Sequence, residues 1–268
     1  MKRLLTATVS AAALALGMCG VASAEPIKNV VLVHGAFADG SGWRAVADIL
    51  EHDGYSVSIV QEPETSLADD AAATKRIIER VNAPLILVGH SYGGAVITQA
   101  GNEPQVRGLV YIAAFQPDTG ETLGGLLKQM PPAANSSVPA GEGYVIVDPK
   151  AFHADFAADL PAKEANFMAI SQVPISVTGF GTPITNAAWH NKPSWYAVAT
   201  EDRMINPDLE RFMAKRAGST TIEVKGSHAI FMSQPKIVAT LPLSICAAAY
   251  AAQMARPPSI AVSHSLCS

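Results

Sequence analysis

The strongest candidate for a catalytic residue in this sequence is a serine with a glycine two positions away on each side, in the segment Gly89-His90-Ser91-Tyr92-Gly93. The segment fits a G-x-S-x-G pattern, which also occurs by chance in glycine-rich turns that carry an incidental serine. Here an apolar run at residues 84–88 precedes it, and a helical pattern begins near Tyr92. A serine on such a sharp strand-to-helix turn has a strained backbone and needs small neighbours two positions away. This context predicts that Ser91 is a nucleophile.

A serine hydroxyl becomes a good nucleophile only when a base removes its proton, and histidine is the usual base. The histidines that follow Ser91 are His153, His190, His228 and His264. His228 comes directly after the last predicted strand, on a loop that opens with Gly226. The carboxyl ends of the strands are where a parallel sheet presents its catalytic groups, so we predict His228 as the base.

The histidine in turn needs a carboxylate that fixes its orientation. Asp202 directly follows the strand predicted at residues 195–200 and precedes Ile205-Asn206-Pro207, a plausible helix start. Its neighbour Glu201 is a competitor, and Asp118, which follows the preceding strand, is a more distant alternative. We predict Asp202 as the acid.

Acyl chemistry also needs backbone N–H groups directed at the developing negative charge, an oxyanion hole. One donor is predicted at Tyr92, in the first turn of the helix after the nucleophile. The other is predicted at Ala36, with Phe37 as the alternative, in the loop where Gly35 lets the backbone approach Ser91. The strand-ending histidines His34 and His90 are interpreted as structural hydrogen-bonding groups.

Apolar stretches of strand length alternate with helical patterns along most of the chain. Strand patterns occupy residues 29–34, 55–60, 84–88, 106–115, 195–200 and 221–225, and helical patterns residues 43–53, 67–81 and 209–217. Continuous apolar strands separated by helices are typical of a parallel sheet covered on both faces. The predicted class is therefore α/β, with a mostly parallel, doubly wound sheet.

The alternation breaks between residues 116 and 192. This stretch is rich in Pro, Gly and Ser and shows short helical patterns at residues 150–158 and 162–170. An insertion at the carboxyl edge of the sheet would form a helical lid over the site. A separate folding domain is the alternative, although the stretch is poor in core-forming residues.

The N-terminus has the pattern of a secretory signal peptide. Two basic residues precede an apolar run at residues 4–17, and Ala22-Ser23-Ala24 supplies the small residues of a cleavage site. The run is shorter than the roughly 20 residues of a membrane-spanning helix. Lipidation at Cys19 is a weaker alternative, because Met18 stands where a small residue is expected. We predict cleavage after Ala24, a domain at residues 25–268, and a periplasmic or secreted protein.

The amino-acid composition and charge argue against some classes of binding partner. The chain is 49% hydrophobic and 16% charged, with a formal net charge of −4, so it can form a substantial core. It has no basic cluster, which argues against a nucleic-acid partner, and no long basic amphipathic stretch for a membrane surface. Cys246 and Cys267 are predicted to pair after export, the alternative being a buried thiol and a frayed tail. No metal site is predicted.

Four segments together resemble the small lidded esterases of the α/β-hydrolase superfamily. They are VLVHGAFADGSGW (31–43), LILVGHSYGG (85–94), KPSWYAVATEDRMINP (192–207) and VKGSHAIFMSQP (224–235), in the order typical of that family. The closest likeness is to the branch of plant methyl-ester esterases, hydroxynitrile lyases and bacterial aryl and alkyl esterases. The resemblance implies Ser91, Asp202 and His228 as the triad, Ala36 and Tyr92 as oxyanion donors, and no cofactor.

The branch also contains other chemistries. Plant hydroxynitrile lyases carry threonine at the position of Gly35 and lysine at that of Ala229, and both differences favour ester hydrolysis here. Non-haem haloperoxidases and perhydrolases share the triad, whereas haloalkane dehalogenases need aspartate in place of Ser91.

We therefore predict a serine esterase for small, largely apolar esters, with Phe37, Trp189 and Ile230 lining its pocket. A lyase or perhydrolase with the same triad, or a low-turnover binding protein, is the alternative. The sequence gives no indication of the oligomeric state.

Overall fold

The computed structural model describes residues 27–243. The predicted signal peptide and Cys19, and at the other end Cys246, His264 and Cys267, lie outside the described residues. None of the helices in the described part is long and apolar enough to cross a membrane.

The described chain alternates between strands and helices. The strands are β1 (Asn29–Val33), β2 (Ser56–Val60), β3 (Leu85–His90), β4 (Val106–Ile112), β5 (Ser137–Pro139), β6 (Tyr144–Val147), β7 (Ile175–Ser176), β8 (Ser194–Ala199) and β9 (Thr220–Val224). The helices are α1 (Arg44–His52), α2 (Leu67–Val81), α3 (Tyr92–Ala100), α4 (Leu123–Gln129), α5 (Phe152–Asp155), α6 (Ala162–Ile170), α7 (Val177–Gly181), α8 (Pro207–Arg216) and α9 (Ile230–Ser233).

Six strands form one parallel sheet in the order β2-β1-β3-β4-β8-β9. The central strand β3 is buried along its whole length, and β1 and β4 are buried at all but one residue each. Strands covered on both faces have no polar side to alternate with, which explains their continuous apolar sequences. The predicted α/β class with a parallel sheet is confirmed.

The strand order brings two distant segments together. The chain passes from β1 outward to β2, and then returns across β1 to place β3 on its other side. The loop after β1 and the turn after β3 therefore leave the sheet from adjacent carboxyl ends. In open parallel sheets this reversal of direction is where ligands bind.

The strand predicted at residues 106–115 ends earlier, at Ile112, in β4. The next residue, Ala113, has φ of 44°, in the left-handed region that a strand cannot continue through. The chain therefore turns at this point, and Phe115 lies beyond the strand at the edge of the sheet.

The insertion at residues 116–192 connects β4 to β8. It contains α4 to α7, as the prediction of a helical lid requires, and also a small antiparallel sheet in the order β5-β6-β7 that was not predicted. Phe152, Phe156 and Ile175 of the insertion belong to the same apolar cluster as the strands of the large sheet. The insertion thus packs on the core of the α/β unit.

Candidate active site

Ser91 occupies a strained turn between β3 and α3. Its backbone has φ of 52° and ψ of −121°, an unusual conformation for a residue with a side chain. The flanking glycines make the turn possible, because a Cβ on Gly89 would lie 2.5 Å from the Gly93 carbonyl oxygen, and one on Gly93 would lie 2.3 Å from the His34 carbonyl oxygen. The turn has the geometry that the G-x-S-x-G segment predicts.

Asp202 and His228 form a hydrogen-bonded pair beside this turn. The Nδ1 atom of His228 lies 2.6 Å from Oδ2 of Asp202, and both side chains are buried. Since a carboxylate only accepts, Nδ1 carries the proton and Nε2 is left as the basic nitrogen. This is the orientation that a general base for a serine requires.

The loop between β8 and α8, residues 200–206 and here named the acid loop, holds the Asp202 carboxylate in place. Its Oδ1 atom accepts hydrogen bonds from the N–H groups of Met204 at 2.7 Å and Ile205 at 2.9 Å. Burial raises the pKa of the nearby Glu210 carboxyl well above its usual value, and the charge of Asp202 acts in the same direction. The Ala199 N–H donates to Oε2 of Glu210 at 3.2 Å, which places this carboxyl at the end of the strand before the acid loop.

The alternative acids lie elsewhere. Glu201 is exposed and faces Lys225 at 3.7 Å, and Asp118 pairs at 2.7 Å with His190, itself half exposed. His153 makes a contact of 3.1 Å with the Leu160 carbonyl oxygen within the insertion. These groups are engaged away from Ser91.

The insertion is hydrogen-bonded to the loop between β9 and α9, residues 225–229 and here named the base loop, which carries His228. The carboxylate of Asp159 accepts hydrogen bonds from the Ser227 N–H at 3.1 Å, from the Ser233 hydroxyl at 2.7 Å and from the Ser227 hydroxyl. The ring of Phe156 meets the His228 ring edge-on, with centroids 4.8 Å apart. These contacts place the insertion directly against the His228 imidazole and its loop.

The acid loop is also hydrogen-bonded to the insertion. Arg203, next to Asp202, donates from Nε to Oδ1 of Asp155 at 2.9 Å. The same short part of the insertion therefore holds both the acid loop and the base loop.

The loop after β1 packs directly on Ser91. A Cβ on Gly35 would lie 2.6 Å from the Cβ of Ser91, so only glycine fits without displacement. Ala36 follows at the cavity that Ser91 borders, and Tyr92 begins α3, whose first N–H groups have no partner within the helix. The structure thus brings both predicted oxyanion donors to Ser91.

Ser91, His228 and Ala36 border a cavity of about 90 Å³, the catalytic cavity. Its other lining residues are Phe37, Phe115, Leu127, Pro132, Ala134, Ser136, Ser137, Phe180, Met204 and Ile205. The Ser136 hydroxyl is buried there without a hydrogen-bond partner. Phe115, Met204 and Ile205 follow strand ends, a signal that could have identified them. Nothing local in the sequence marks the lining residues of the insertion.

Two predicted pocket residues do not line the catalytic cavity. Trp189 is buried elsewhere, because its indole N–H donates to the Pro117 carbonyl oxygen at 2.8 Å and its ring stacks near His190. Ile230 is buried against the base loop, where a Cβ on Gly226 would lie 2.7 Å from its Cγ2 atom. Of the predicted pocket residues, Phe37 borders the cavity.

Comparison with known proteins shows the family of this chain. The model of the alpha/beta hydrolase family matches residues 30–241, which is most of the chain. The chain belongs to the alpha/beta hydrolase family. The family predicted from the four sequence segments is confirmed.

Relatives of this alpha/beta hydrolase include several named esterases. It is 26% identical over 248 residues to the carbendazim hydrolyzing esterase of Nocardioides sp. (strain SG-4G), covering 80% of this chain and 97% of that one. It is 22% identical over 266 residues to methylesterase 8 of Arabidopsis thaliana, covering 87% and 95%. The structure of a pyrethroid hydrolase from Sphingobium faniae JZ-2 superposes with a TM-score of 0.70 at 23% identity, covering 83% and 98%.

The hydrolase also buries an acidic cluster next to the loop after β1, which carries Ala36. Glu62, Glu64 and Asp70 are buried together with His34, whose Nδ1 atom lies 3.6 Å from Oε1 of Glu64. Asp70 accepts from the Tyr92 hydroxyl at 2.7 Å and from the Glu64 N–H at 2.8 Å. Within residues 27–243, no group of three such side chains is arranged to hold a metal ion.

Burial makes the two glutamates harder to ionise than a glutamate in water. Burial raises the pKa of Glu64 to about 9, with the charge of Asp70 adding to the shift. Burial likewise raises the pKa of Glu62 well above its usual value. Burial lowers the pKa of His34 and so favours its neutral form. The cluster therefore holds protons that an unfolded chain would release.

This cluster predicts a stability that falls as pH rises. Since the pKa of Glu64 is about 9 in the folded protein against 4.5 for a free glutamate, its contribution is complete below pH 4.5 and is lost as pH rises through 9. We expect the Tm of the wild type to fall by about 5 °C or more between pH 5 and 9. Glu64→Gln should show a clearly shallower fall in thermal unfolding followed by circular dichroism.

The matched control is Glu79→Gln, which removes an exposed carboxyl of α2. Its Tm should follow the wild-type pH dependence. Parallel curves for Glu64→Gln and the wild type would contradict the proton uptake assigned to Glu64.

Proposed function

We propose that this protein is a serine carboxylesterase that cleaves small, largely apolar esters through an acyl-enzyme on Ser91. The observation that carries the proposal is the 2.6 Å contact between Asp202 and His228, at the cavity that Ser91 borders. The names of the relatives, a carbendazim hydrolyzing esterase and a methylesterase, support ester hydrolysis by this family member.

The first half of the reaction forms the acyl-enzyme. The Ser91 Oγ atom attacks the ester carbonyl carbon while Nε2 of His228 takes its proton. The N–H groups of Ala36 and Tyr92 stabilise the oxyanion of the tetrahedral intermediate. As the intermediate collapses, the imidazolium returns the proton to the leaving alkoxide oxygen and an alcohol departs.

The second half repeats the proton transfers with water. His228 takes a proton from a water molecule that attacks the acyl carbon, and the resulting intermediate collapses to expel Ser91. The proton passes back to Oγ, and a carboxylic acid is released. Throughout both halves Asp202 stabilises the positive charge on the imidazole.

The environment of Gly35 supports hydrolysis over the lyase reaction. Any β-carbon at this position would lie 2.6 Å from the Cβ of Ser91. The threonine that plant hydroxynitrile lyases carry there does not fit this backbone. The apolar side chains of Phe115, Leu127 and Phe180 in the catalytic cavity favour an apolar substrate.

A fluorophosphonate probe tests the acyl-enzyme chemistry. It should label the purified protein once, on the peptide that contains Ser91, as read by mass spectrometry after digestion. Ser91→Ala should remain unlabelled, whereas Ser56→Ala, which changes an exposed serine of β2 and keeps the nucleophile, should still react. Absence of label in the wild type, or label on another residue, would refute the proposed nucleophile.

Export remains a prediction from the sequence. The basic residues, the apolar run and the Ala22-Ser23-Ala24 site support a periplasmic or secreted location.

A further inference from the structure

We infer that a groove beside the catalytic cavity binds a neutral aromatic part of the substrate, so that only the smaller substituent of the ester lies in the catalytic cavity. This inference rests on the proposed function and narrows its substrate class. The groove, here named the side groove, lies between α1, α6 and α9 and includes Phe37, Ala45, Phe167, Met168, Phe231 and Met232.

The sizes of the two spaces favour such a division. The catalytic cavity has about 90 Å³, well below the volumes of about 300–1,000 Å³ that are typical of ligand sites. The side groove has about 610 Å³, within that range. An ester that reacts at Ser91 can therefore place a group of only a few atoms in the catalytic cavity.

Phe37 lies between the two spaces, because it lines both of them. It directly follows Ala36, and its backbone has φ of 67°, in a region that a residue with a side chain seldom adopts. Phe231, which also lines the groove, packs on His90 with ring centroids 4.3 Å apart. The groove thus includes the residue that follows the predicted oxyanion donor, and one of its rings packs on the residue that precedes Ser91.

The lining of the groove favours an aromatic ligand. Three phenylalanines and two methionine thioethers line it, and both groups pack well against aromatic rings. Phe167 at its edge is 65% exposed, one of few large apolar side chains with that much exposure among the described residues. A bound ring would cover this side chain and remove apolar surface from water.

The charges at the edge of the groove favour a neutral ligand. The lining includes Asp39, Asp48 and Glu164 against the single basic residue Arg44. This surplus of negative charge disfavours carboxylates and other anions by like-charge repulsion.

The test introduces a large side chain into the side groove and leaves the lining of the catalytic cavity unchanged. Ala45 is exposed on α1 and lines the side groove, so Ala45→Trp occupies it from the solvent side. For 1-naphthyl acetate and methyl 1-naphthoate, which carry the ring on opposite sides of the ester, at least one KM should rise about tenfold or more. For methyl acetate, which has no ring, kcat/KM should stay within about twofold of the wild type.

The matched control is Ala72→Trp, which adds the same side chain at an exposed position of α2 outside the groove. It should leave all three reactions unchanged. Unchanged KM values for both naphthyl esters in Ala45→Trp, or an equal loss with methyl acetate, would overturn the inference.

A binding experiment separates this inference from the proposed function. In a Ser91→Ala background, the Kd values for 1-naphthyl acetate and methyl 1-naphthoate are measured from their fluorescence, with and without Ala45→Trp. Weaker binding of at least one ester by about tenfold with Ala45→Trp supports the groove even if Ser91 proves not to be the nucleophile. Unchanged Kd values for both esters overturn the groove even if Ser91 is the nucleophile.

Discussion

Replacement of Ser91 by alanine is expected to lower kcat for aryl acetate hydrolysis by about 10⁴- to 10⁶-fold, because the substitution removes the atom that forms the acyl-enzyme. The backbone should be unaffected, since alanine and serine both carry a Cβ in the conformation with φ of 52°. Release of a chromogenic phenol, followed with substrate in excess, measures the effect.

The control for this substitution is a measurement of thermal stability, which shows whether the variant is folded. The Tm of Ser91→Ala should lie within about 2 °C of the wild type, because alanine keeps the Cβ that packs in the turn and removes only the hydroxyl. If folded Ser91→Ala retained more than about 1% of the wild-type kcat, Ser91 would not be the nucleophile.

Asp202→Asn is expected to lower kcat by about 10³- to 10⁴-fold without unfolding the protein. An asparagine can still accept the N–H groups of Met204 and Ile205 with its carbonyl oxygen. Its amide nitrogen then faces Nδ1 of His228 and donates to it, which forces the imidazole proton onto Nε2. The base would then present a proton, and no lone pair, to Ser91.

The comparison variant is Asp118→Asn, which changes the alternative acid. Asp118 pairs with His190 away from the catalytic cavity, so its kcat should stay within about twofold of the wild type. Steady-state kinetics of both variants on one aryl ester decides between the two carboxylates. A greater loss in Asp118→Asn than in Asp202→Asn would reverse the assignment of the acid.

The triad could be predicted because each member has a local signal. Ser91 has flanking glycines, and Asp202 and His228 lie in the loops that follow β8 and β9. A parallel sheet places all such strand ends along one edge, so the sequence pattern predicts that the three residues share that edge. Which strand ends are neighbours depends on the strand order β2-β1-β3-β4-β8-β9, which the alternating pattern does not specify.

The lining of the catalytic cavity could not be predicted in this way. Leu127 and Phe180 reach the cavity through the packing of the insertion, and no periodic pattern specifies that packing. Trp189 was predicted to lie there from its position late in the insertion, but the hydrogen bond of its indole to Pro117 determines its actual place. The buried Glu62 and Glu64 likewise have the sequence of a polar loop.

The ties from Asp155 and Asp159 affect when this protein becomes active during folding. Asp159 and Ser227 are 68 residues apart in the chain, and Asp155 and Arg203 are 48 apart, so both contacts close long loops. Long-range contacts of this kind form late, after local helices and neighbouring strands. We therefore expect the loops of Asp202 and His228 to gain their final positions only when the insertion has docked, so that esterase activity should be one of the last properties that the folding chain acquires.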